Sequence, residues 1–326
     1  MKLLVTGAAG KVGQVFLPAF LADPRFADWQ LVALCNNRPV EPAERVSVIS
    51  GSMADAAVVA EAIAGVTHVV HLAAVKETPE LIFDVALKGL FTLLEEFRKS
   101  EAARQFILLS GDCVVGHIFQ EYDTPITETS ERRAYKGCYA LTKVLEESML
   151  EQFGIQYGVN WSVLRAPWVM EKDDFRFAFD LGEGQFGGPP WSDVIEESAL
   201  ERYRNGQYVP VLRDAKGDYL KRNFVHVDDL VSAILATIDN PKAAGQLFNI
   251  SMNEPVDYGA VGAMLKTRNG LDPVEIDTPF HSNWLNNSKA RMVLGWTPEI
   301  GLEELADRAW RYKRKDNDPR VVWYPG

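Results

Sequence analysis

A tyrosine and a lysine set four residues apart are the side chains whose types and spacing point most directly to chemistry. Tyr139 and Lys143 stand in CYALTKVLEESMLEQFG, a segment whose pattern predicts a helix that closes at Gly154. At this spacing both side chains project from one helix face, which brings an ammonium near a phenol. A phenol with a pKa near 10 becomes a base at neutral pH only if its pKa falls by about 3 units, roughly 4 kcal/mol, and a neighbouring cation favours that change. The pair is therefore a candidate acid/base, the alternative being a surface pair without a role.

Three glycines near the start of the chain form a second candidate site. Gly7, Gly10 and Gly13 are spaced three residues apart in VTGAAGKVG, after an apolar run that predicts a strand and at the start of a predicted helix. Glycine allows a tight turn and lets backbone amides approach a pyrophosphate, while the helix N-terminus adds positive partial charge. This context favours a dinucleotide-binding loop over a plain turn between a strand and a helix.

The end of the second predicted strand bears on which dinucleotide binds. An NAD site normally has an acidic residue there to bind the adenosine ribose, but LVALCNNRP ends in Asn36, Asn37 and Arg38. Arginine suits the 2′-phosphate of NADP, and either asparagine suits an unphosphorylated ribose. The expected cofactor is NAD(P), with NAD and NADP both open.

The elements that must position these residues alternate along the first half of the chain. Short β-rich runs (KLLVTG, WQLVALC, THVVHLAA, RQFILLSG and NWSVLRAP) are separated by helical patterns at about 11–22, 55–64 and 81–100. This alternation predicts an α/β fold, a doubly wound parallel (Rossmann) sheet whose ligands lie at the carboxyl ends of the strands.

The sequence changes character after Pro167. Residues 173–193 are rich in glycine, proline and aromatic residues, which is typical of a long loop over a ligand, whereas NFVHVDDLVSAILATID and QLFNIS return to helix and strand patterns. We therefore predict a Rossmann domain of residues 1–167 plus 223–250, and a smaller, interleaved α+β substrate domain of residues 168–222 plus 251–326.

Composition excludes several classes of protein and partner. The formal net charge of −11 is spread along the 326 residues, which argues against nucleic acid as a partner. The three cysteines form no disulfide framework, the five histidines show no metal-ligand spacing, and no apolar stretch approaches a membrane span. We therefore expect a cytoplasmic protein that acts on a small molecule. We expect it to bind no metal and to contact no membrane.

The order and spacing of five motifs resemble those of the extended short-chain dehydrogenase/reductase superfamily, the NAD-dependent epimerases and dehydratases. The motifs are TGAAGKVG, HLAA at 71–74, YALTK at 139–143, RNFVHVDDL at 222–230 and NNSKARMVLGWTPEIGLEE. The resemblance implies that Tyr139 is the general acid/base and that Lys143 lowers its pKa and holds the nicotinamide ribose. It also implies a homodimer formed through two helices of each subunit, with Leu145, Met149 and Leu150 as a candidate apolar stripe. The expected cofactor contacts are Gly7, Ala9, Gly10, Lys11, Val12, Gly13, Asn36, Asn37, Arg38, Ser52, Met53, Leu72, Ala73, Ala74, Tyr139, Lys143 and Pro167.

The chain departs from the family pattern at the third catalytic position. Gly111 stands where the family has a serine or threonine, and glycine has no side-chain donor. Ser110 is the favoured substitute, if a small bulge turns its hydroxyl toward the substrate, and Asp112 or Cys113 are the alternatives. Loss of one such donor lowers the rate by about 10²- to 10³-fold.

The resulting hypothesis is an enzyme that passes a hydride between NAD(P) and a secondary hydroxyl or carbonyl of a sugar, sugar acid or polyol derivative. It is a dehydrogenase, epimerase or dehydratase, the alternative being a non-catalytic NAD(P)-binding sensor or scaffold.

Further side chains are candidates for contact with the substrate. His117 either faces the substrate or is a loop histidine without such a role. Two sets of candidates remain, aromatic residues that would wall the pocket (Trp168, Phe175, Phe177, Phe179, Phe186 and Trp191) and arginines that would meet a diphosphate (Arg176, Arg202, Arg204, Arg213 and Arg222).

Overall fold

The computed structural model describes residues 1–182, 190–204, 206–318 and 320. The strands of this part are β1 (Lys2–Thr6), β2 (Gln30–Cys35), β3 (Val46–Ser50), β4 (His68–His71), β5 (Gln105–Gly111), β6 (Trp161–Ala166), β7 (Trp168–Met170), β8 (Tyr208–Arg213), β9 (Lys221–Arg222), β10 (Phe224–His226), β11 (Gln246–Asn249), β12 (Val256–Asp257) and β13 (Asp272–Asp277). The α-helices are α1 (Lys11–Ala22), α2 (Ala56–Ile63), α3 (Pro79–Ile82), α4 (Gly89–Lys99), α5 (Cys138–Tyr157), α6 (Asp174–Ala178), α7 (Glu197–Arg204), α8 (Val227–Thr237), α9 (Tyr258–Asn269), α10 (Ser288–Leu294) and α11 (Leu302–Arg311).

Seven strands form one parallel sheet in the order β11-β6-β5-β4-β1-β2-β3. The central strands are apolar on both faces, because helices cover both sides; Leu3, Leu4 and Val5 of β1 are all fully buried. The chain runs outward from β1 in one direction to β3 and then returns to β4 on the other side. This reversal confirms the predicted doubly wound Rossmann fold and places a ligand crevice at the carboxyl ends of β1 and β4.

Helix α6 forms within residues 173–193, which were expected to be a long loop, and three further helix and strand assignments differ from the sequence-based expectation. The edge strand β3 was not among the predicted strands; it is short and only one of its five residues is fully buried, so its apolar signal is weak. Residues 79–99 form one run in which a π-helical turn, Phe83–Lys88, joins α3 to α4. The third difference is the end of α5, which passes through Gly154 and stops at Tyr157, where Gly158 adopts a left-handed φ of 70°. Gly154 is instead a packing glycine, because a Cβ there would overlap the indole of Trp161.

The later part of the chain contributes both to the large sheet and to several small sheets beside it. β11 extends the large sheet beside β6, and α8 packs against α1. The remaining strands form small two-stranded sheets, β10 with β7, β12 with β9 and β13 with β8. These surround a separate apolar core that includes Phe175, Phe224 and Tyr258. The exact domain boundaries stay a prediction. Within the described part of the chain, no helix has both the length and the apolarity to cross a membrane.

Candidate active site

The glycine loop lies against the segment that follows β4. Gly7 has a φ of 65°, and a Cβ on it would lie 2.7 Å from the backbone nitrogen of Ala73. A Cβ on Gly13 would overlap the carbonyl oxygen of Ala8 inside the same loop. Both positions therefore require glycine, and the backbone approach leaves the start of α1 open to an anion, as a dinucleotide loop needs.

The other predicted cofactor contacts lie at the carboxyl ends of β2 and β3. Asn36, Asn37 and Arg38 are exposed directly after β2, so they are available to a ribose or its phosphate. Ser52 accepts a hydrogen bond from the backbone of Ala54, and Met53 is buried against Gly89 at the start of α4. These residues are compatible with either NAD or NADP.

Lys11 extends away from the glycine loop toward the later part of the chain. Its ammonium donates to Asp174 Oδ2 at 2.6 Å and to the carbonyl of Val169 at 3.2 Å. The predicted cofactor lysine therefore also links α1 to α6.

Tyr139 lies in the first turn of α5, where an acidic residue from the loop after β4 holds the helix end. The Glu77 carboxylate accepts hydrogen bonds from the backbone nitrogens of Cys138 at 2.9 Å and Tyr139 at 3.2 Å. Lys76 of the same loop places its ammonium 3.5 Å from the centre of the Tyr139 ring. Burial, with the nearby charge of Lys143, lowers the pKa of Lys76 to about 8. Sequence reasoning missed both loop residues, although their place just after HLAA at a strand end was a usable signal.

Lys143 lies on the same face of α5 as Tyr139, with its ammonium 6.0 Å from the centre of the ring. The ammonium donates to the carbonyl of Leu109 at 3.1 Å and to Glu146 Oε2 at 2.7 Å. Burial raises the pKa of Tyr139 well above its usual range, and neighbours such as Cys113 and Glu146 raise it further. The pKa lowering expected from Lys143 is therefore not achieved by the protein residues alone.

Most of the predicted pocket-wall aromatics belong to the protein core. Phe175 and Phe179 are buried together near Tyr258. The Trp191 indole donates to the carbonyl of Asp180, and Arg320 stacks on Phe177. Trp168 remains beside the site, and Phe186 lies outside the described residues.

Comparison with known proteins places the chain in a family. Residues 3–174, more than half of the chain, match the model of the NAD dependent epimerase/dehydratase family. The chain belongs to this family. It is accordingly an enzyme of the short-chain dehydrogenase/reductase type that uses a nicotinamide cofactor, with NAD and NADP still to be distinguished.

Relatives and solved structures agree with this assignment over most of the chain. The chain is 25% identical to UDP-glucuronate 4-epimerase 1 of Arabidopsis thaliana over 343 residues, which cover 93% of this chain and 74% of that one. It is 26% identical to the UDP-glucose 4-epimerase of Rhizobium leguminosarum bv. trifolii over 269 residues, 76% of this chain and 78% of the other. A short-chain dehydrogenase/reductase superfamily protein from Agrobacterium tumefaciens, solved with bound NAD, superposes with a TM-score of 0.78 at 23% identity over 95% and 96% of the two chains.

In this member of the NAD-dependent epimerase/dehydratase family, Ser110 lacks the strand bulge that the sequence led us to expect. The register between β5 and β6 runs without a bulge from Phe106 to Gly111. The Ser110 hydroxyl donates to Glu147 Oε1 at 2.7 Å, on the buried side of α5. The expected bulge is therefore absent, and the unbroken ladder keeps the Ser110 side chain on the face of the sheet that α5 covers.

Glu147 and Arg165 form a buried ion pair beneath the site. Arg165 donates to the two oxygens of Glu147 at 2.8 and 2.7 Å, and both side chains are essentially inaccessible to water. Arg132 adds a third contact to Glu147 at 3.0 Å. The Arg165 guanidinium is therefore committed to this pair. Glu147 could have been suspected from the sequence, because it stands four residues after Lys143 on the same helix face.

The thiol of Cys113 occupies the neighbourhood of the missing hydroxyl. Its Sγ lies 3.1 Å from the place where a Cβ on Gly111 would be. Cys113 packs in one cluster with Tyr139 and Tyr135. Burial, with the charge of Asp112, raises the pKa of the thiol to about 12, so that it keeps its proton.

Proposed function

We propose that the protein oxidises a secondary hydroxyl, or reduces the corresponding carbonyl, of a sugar, sugar acid or polyol derivative, with Tyr139 as the acid/base. The observation that carries this proposal is the placement of the Tyr139 ring near the ammonium groups of Lys76 and Lys143, with Lys76 in the segment after β4 that the glycine loop also contacts. This hydride transfer is either the whole reaction, a dehydrogenation, or the first step of an epimerisation or dehydration.

The chain's own residues would bind the cofactor and move one proton. Gly7, Gly10 and Gly13 would let the backbone at the start of α1 hold the pyrophosphate, and Lys143 would hold the nicotinamide ribose. The nicotinamide, when bound, supplies the hydride acceptor or donor. Tyr139 would exchange the proton of the substrate hydroxyl, aided by the positive charges around the ring, since cations favour the phenolate against the effect of burial.

The sugar class is supported by the family and by two of its relatives, a UDP-glucuronate 4-epimerase and a UDP-glucose 4-epimerase. The alternative function, a non-catalytic NAD(P)-binding sensor, is disfavoured because it does not explain why two lysine ammonium groups lie near the Tyr139 ring. The test is to measure binding of NAD and NADP, and then to screen sugars, sugar acids, polyols and nucleotide sugars for a change in absorbance of the reduced cofactor. Cofactor binding with no turnover across such a panel would favour the sensor.

Cys113 is the proposed third hydrogen-bond donor, in place of Ser110. Asp112 is unsuitable as that donor because its carboxylate accepts a hydrogen bond from His117. We expect Cys113→Ala to lower kcat by about 10²-fold, the lower end of the effect of removing such a donor, because a thiol donates weakly. Cys113→Ser is expected to retain activity, since it replaces one donor with another.

A double variant sharpens the test of Cys113. Gly111→Ser combined with Cys113→Ala restores the hydroxyl of the family pattern and removes the sulfur that would crowd it, so kcat should recover. Steady-state kinetics on the substrate from the screen would measure all three variants. Full activity of Cys113→Ala would refute the role.

We also propose a homodimer formed through the face of α4 and α5. Phe83, Phe91, Leu141 and Leu145 are 38 to 49% exposed on these neighbouring helices and the π-helical segment. Leu150, expected to join an interface stripe, is fully buried in the core instead. We expect Leu145→Glu to produce a monomer by light scattering, because a buried carboxylate disrupts an apolar interface. Ile155→Glu, at an exposed position further along α5, is the control that should leave the oligomeric state unchanged.

A further inference from the structure

Glu146 is a buried carboxylate on the helix that carries Tyr139 and Lys143. It lies one turn after Lys143, and the lysine ammonium donates to Glu146 Oε2 at 2.7 Å. The side chains of the lysine and the glutamate are only 4% and 1% exposed. The other carboxylate oxygen, Oε1, is buried without a hydrogen-bond partner among the described residues. Because a buried charge is unfavourable unless it is paired, the Glu146 carboxylate depends on Lys143.

Stability does not account for the pair of Lys143 and Glu146. Glu147, the next residue, connects α5 to the large sheet, because its oxygens accept hydrogen bonds from Ser110 and Arg165. Within the described part of the chain, Glu146 has its hydrogen bond and ion pair with a residue of its own helix and connects α5 to no other element. Since a buried ion pair can often be replaced by apolar side chains without loss of stability, we looked for the role of Glu146 in its effect on Lys143.

The contacts of Lys143 fix its ammonium near the phenol. An ammonium has three N–H donors, and the described residues accept from two of them, the carbonyl of Leu109 at 3.1 Å and Glu146 at 2.7 Å. These contacts hold the ammonium 6.0 Å from the centre of the Tyr139 ring. Glu146 thus sets where the lysine charge lies relative to the phenol.

Glu146 also offsets part of the charge that Lys143 presents to Tyr139. A nearby cation favours a phenolate, and a carboxylate paired with that cation works against it. Burial is the main reason that the pKa of Tyr139 is raised, and the Glu146 charge raises it further. Burial raises the pKa of Glu146 itself, while the Lys143 charge opposes that rise. The lysine and the glutamate therefore act on the phenol as one coupled unit.

Other titratable groups face this unit from the neighbouring elements. They are His71 on β4, Lys76 after β4, Asp112 and Cys113 after β5, Tyr135 before α5 and Glu147 on α5. Burial lowers the pKa of His71 to about 3 and raises that of Cys113 to about 12, so both are neutral. The Asp112 carboxylate is hydrogen-bonded to His117, and Glu147 is paired with Arg165. Glu146 is the carboxylate that acts directly on the lysine.

We propose that Glu146 is a positioning residue that holds the Lys143 ammonium and offsets part of its charge, so that Tyr139 remains protonated, as a proton donor, over a wider pH range. This inference rests on the proposed function and concerns its dependence on pH. In the reduction, the Tyr139 hydroxyl gives its proton to the substrate oxygen while the carbonyl carbon receives the hydride of the reduced nicotinamide, which is thereby oxidised. The oxidation needs the phenolate to accept that proton, so Glu146 restrains the oxidation near neutral pH.

The first test is the pH profile of the oxidation in Glu146→Gln, which removes the charge and keeps an oxygen that can accept from Lys143. We expect the alkaline rise of the rate to move to lower pH by about 1 pH unit. On the rising part of the profile, the rate should then increase by up to about 10-fold. Steady-state kinetics of the cofactor-loaded protein on the substrate from the screen measure the profile. A purely structural role would lower the rate at every pH without moving the rise.

Three further variants make this test specific to the charge. Glu146→Asp keeps the carboxylate and should keep the parental profile. Glu151→Gln removes a carboxylate of the same helix that pairs with Arg132 at a partly exposed position, and it should also keep that profile. Glu146→Met removes the charge at similar volume and should reproduce the shift, so it serves where Glu146→Gln does not fold. An unshifted rise in the neutral variants, or a rise moved to higher pH, would overturn the proposal.

The second test observes the Tyr139 phenol without turnover. In protein labelled with ¹³C at the tyrosine rings, the NMR resonance that is missing from Tyr139→Phe belongs to Tyr139, and its pH titration follows ionisation. We expect ionisation to begin at lower pH in Glu146→Gln than in the parent, and identical titrations would overturn the inference. A titration that moves although Tyr139→Phe keeps full kcat would support the charge effect and refute the proposed function. An unmoved titration with an inactive Tyr139→Phe would refute the inference alone.

Discussion

The Tyr139→Phe variant is expected to lose turnover by about 10²- to 10⁴-fold and still to bind the cofactor as the parent protein does. The substitution removes one hydroxyl and keeps the ring on which the Lys76 ammonium stacks, so the shape of the site is preserved. Steady-state kinetics on the substrate from the screen measure the loss, and calorimetry measures cofactor affinity.

Tyr135→Phe is the matched control for this variant. Tyr135 packs in the same cluster and burial also raises its pKa, but it lies outside the helix that carries Lys143. This control should keep most of the activity. A Tyr139→Phe enzyme with parental kcat would remove Tyr139 from the mechanism.

The pH profile of the oxidation separates a chemical role of Tyr139 from a structural one. Because burial raises the pKa of the phenol, the basic phenolate gains population as the pH rises, and the oxidation rate should climb on the alkaline side. In Tyr139→Phe the residual rate should lack this rise.

The second large effect is expected on stability, at Glu147. Glu147→Gln removes the charge that compensates the buried Arg165, so the free energy of unfolding should fall by about 3–5 kcal/mol. Urea denaturation followed by circular dichroism measures the change. Glu151→Gln is the matched control one turn further along α5. Its carboxylate pairs with Arg132 at a partly exposed position, so the loss there should stay below about 1 kcal/mol.

The same ion pair gives stability a defined dependence on pH. Burial alone raises the pKa of Glu147, but hydrogen bonds and charge from Arg165, with Ser110 and Arg132, outweigh it and hold the pKa below its usual value of 4.5. A pKa lowered by folding stabilises the protein above the unfolded value, and the contribution disappears as the pH falls through the folded value. The parent should therefore lose stability on acidification in a range where Glu147→Gln, already without the charge, loses less.

Local spacing in the sequence predicted the elements that carry the site. The glycine loop, α1 and the Tyr139–Lys143 face of α5 follow from residues within a few positions of one another, whose geometry is set by the turn and the helix themselves. The family match then assigned the cofactor class.

The parts that escaped prediction depend on contacts between distant segments. Glu77 meets the start of α5 from 61 positions away, and the Ser110 hydroxyl meets Glu147 from 37 positions away. Gly154 looked like a helix end because its packing partner, Trp161, lies on the next strand. A local pattern does not show which face of a strand a helix will cover, so it did not reveal that the Ser110 hydroxyl would meet Glu147.

Strand β11, which pairs with β6, lies about 80 residues further along the chain, and this separation matters for shortened versions of the protein. A fragment that stops at Pro167 would contain the glycine loop, Tyr139 and Lys143, yet it would present the whole outer hydrogen-bonding row of β6, which residues 246–249 otherwise occupy. Unpaired rows of this kind recruit strands from other molecules. An N-terminal nucleotide-binding fragment of this enzyme is thus expected to aggregate.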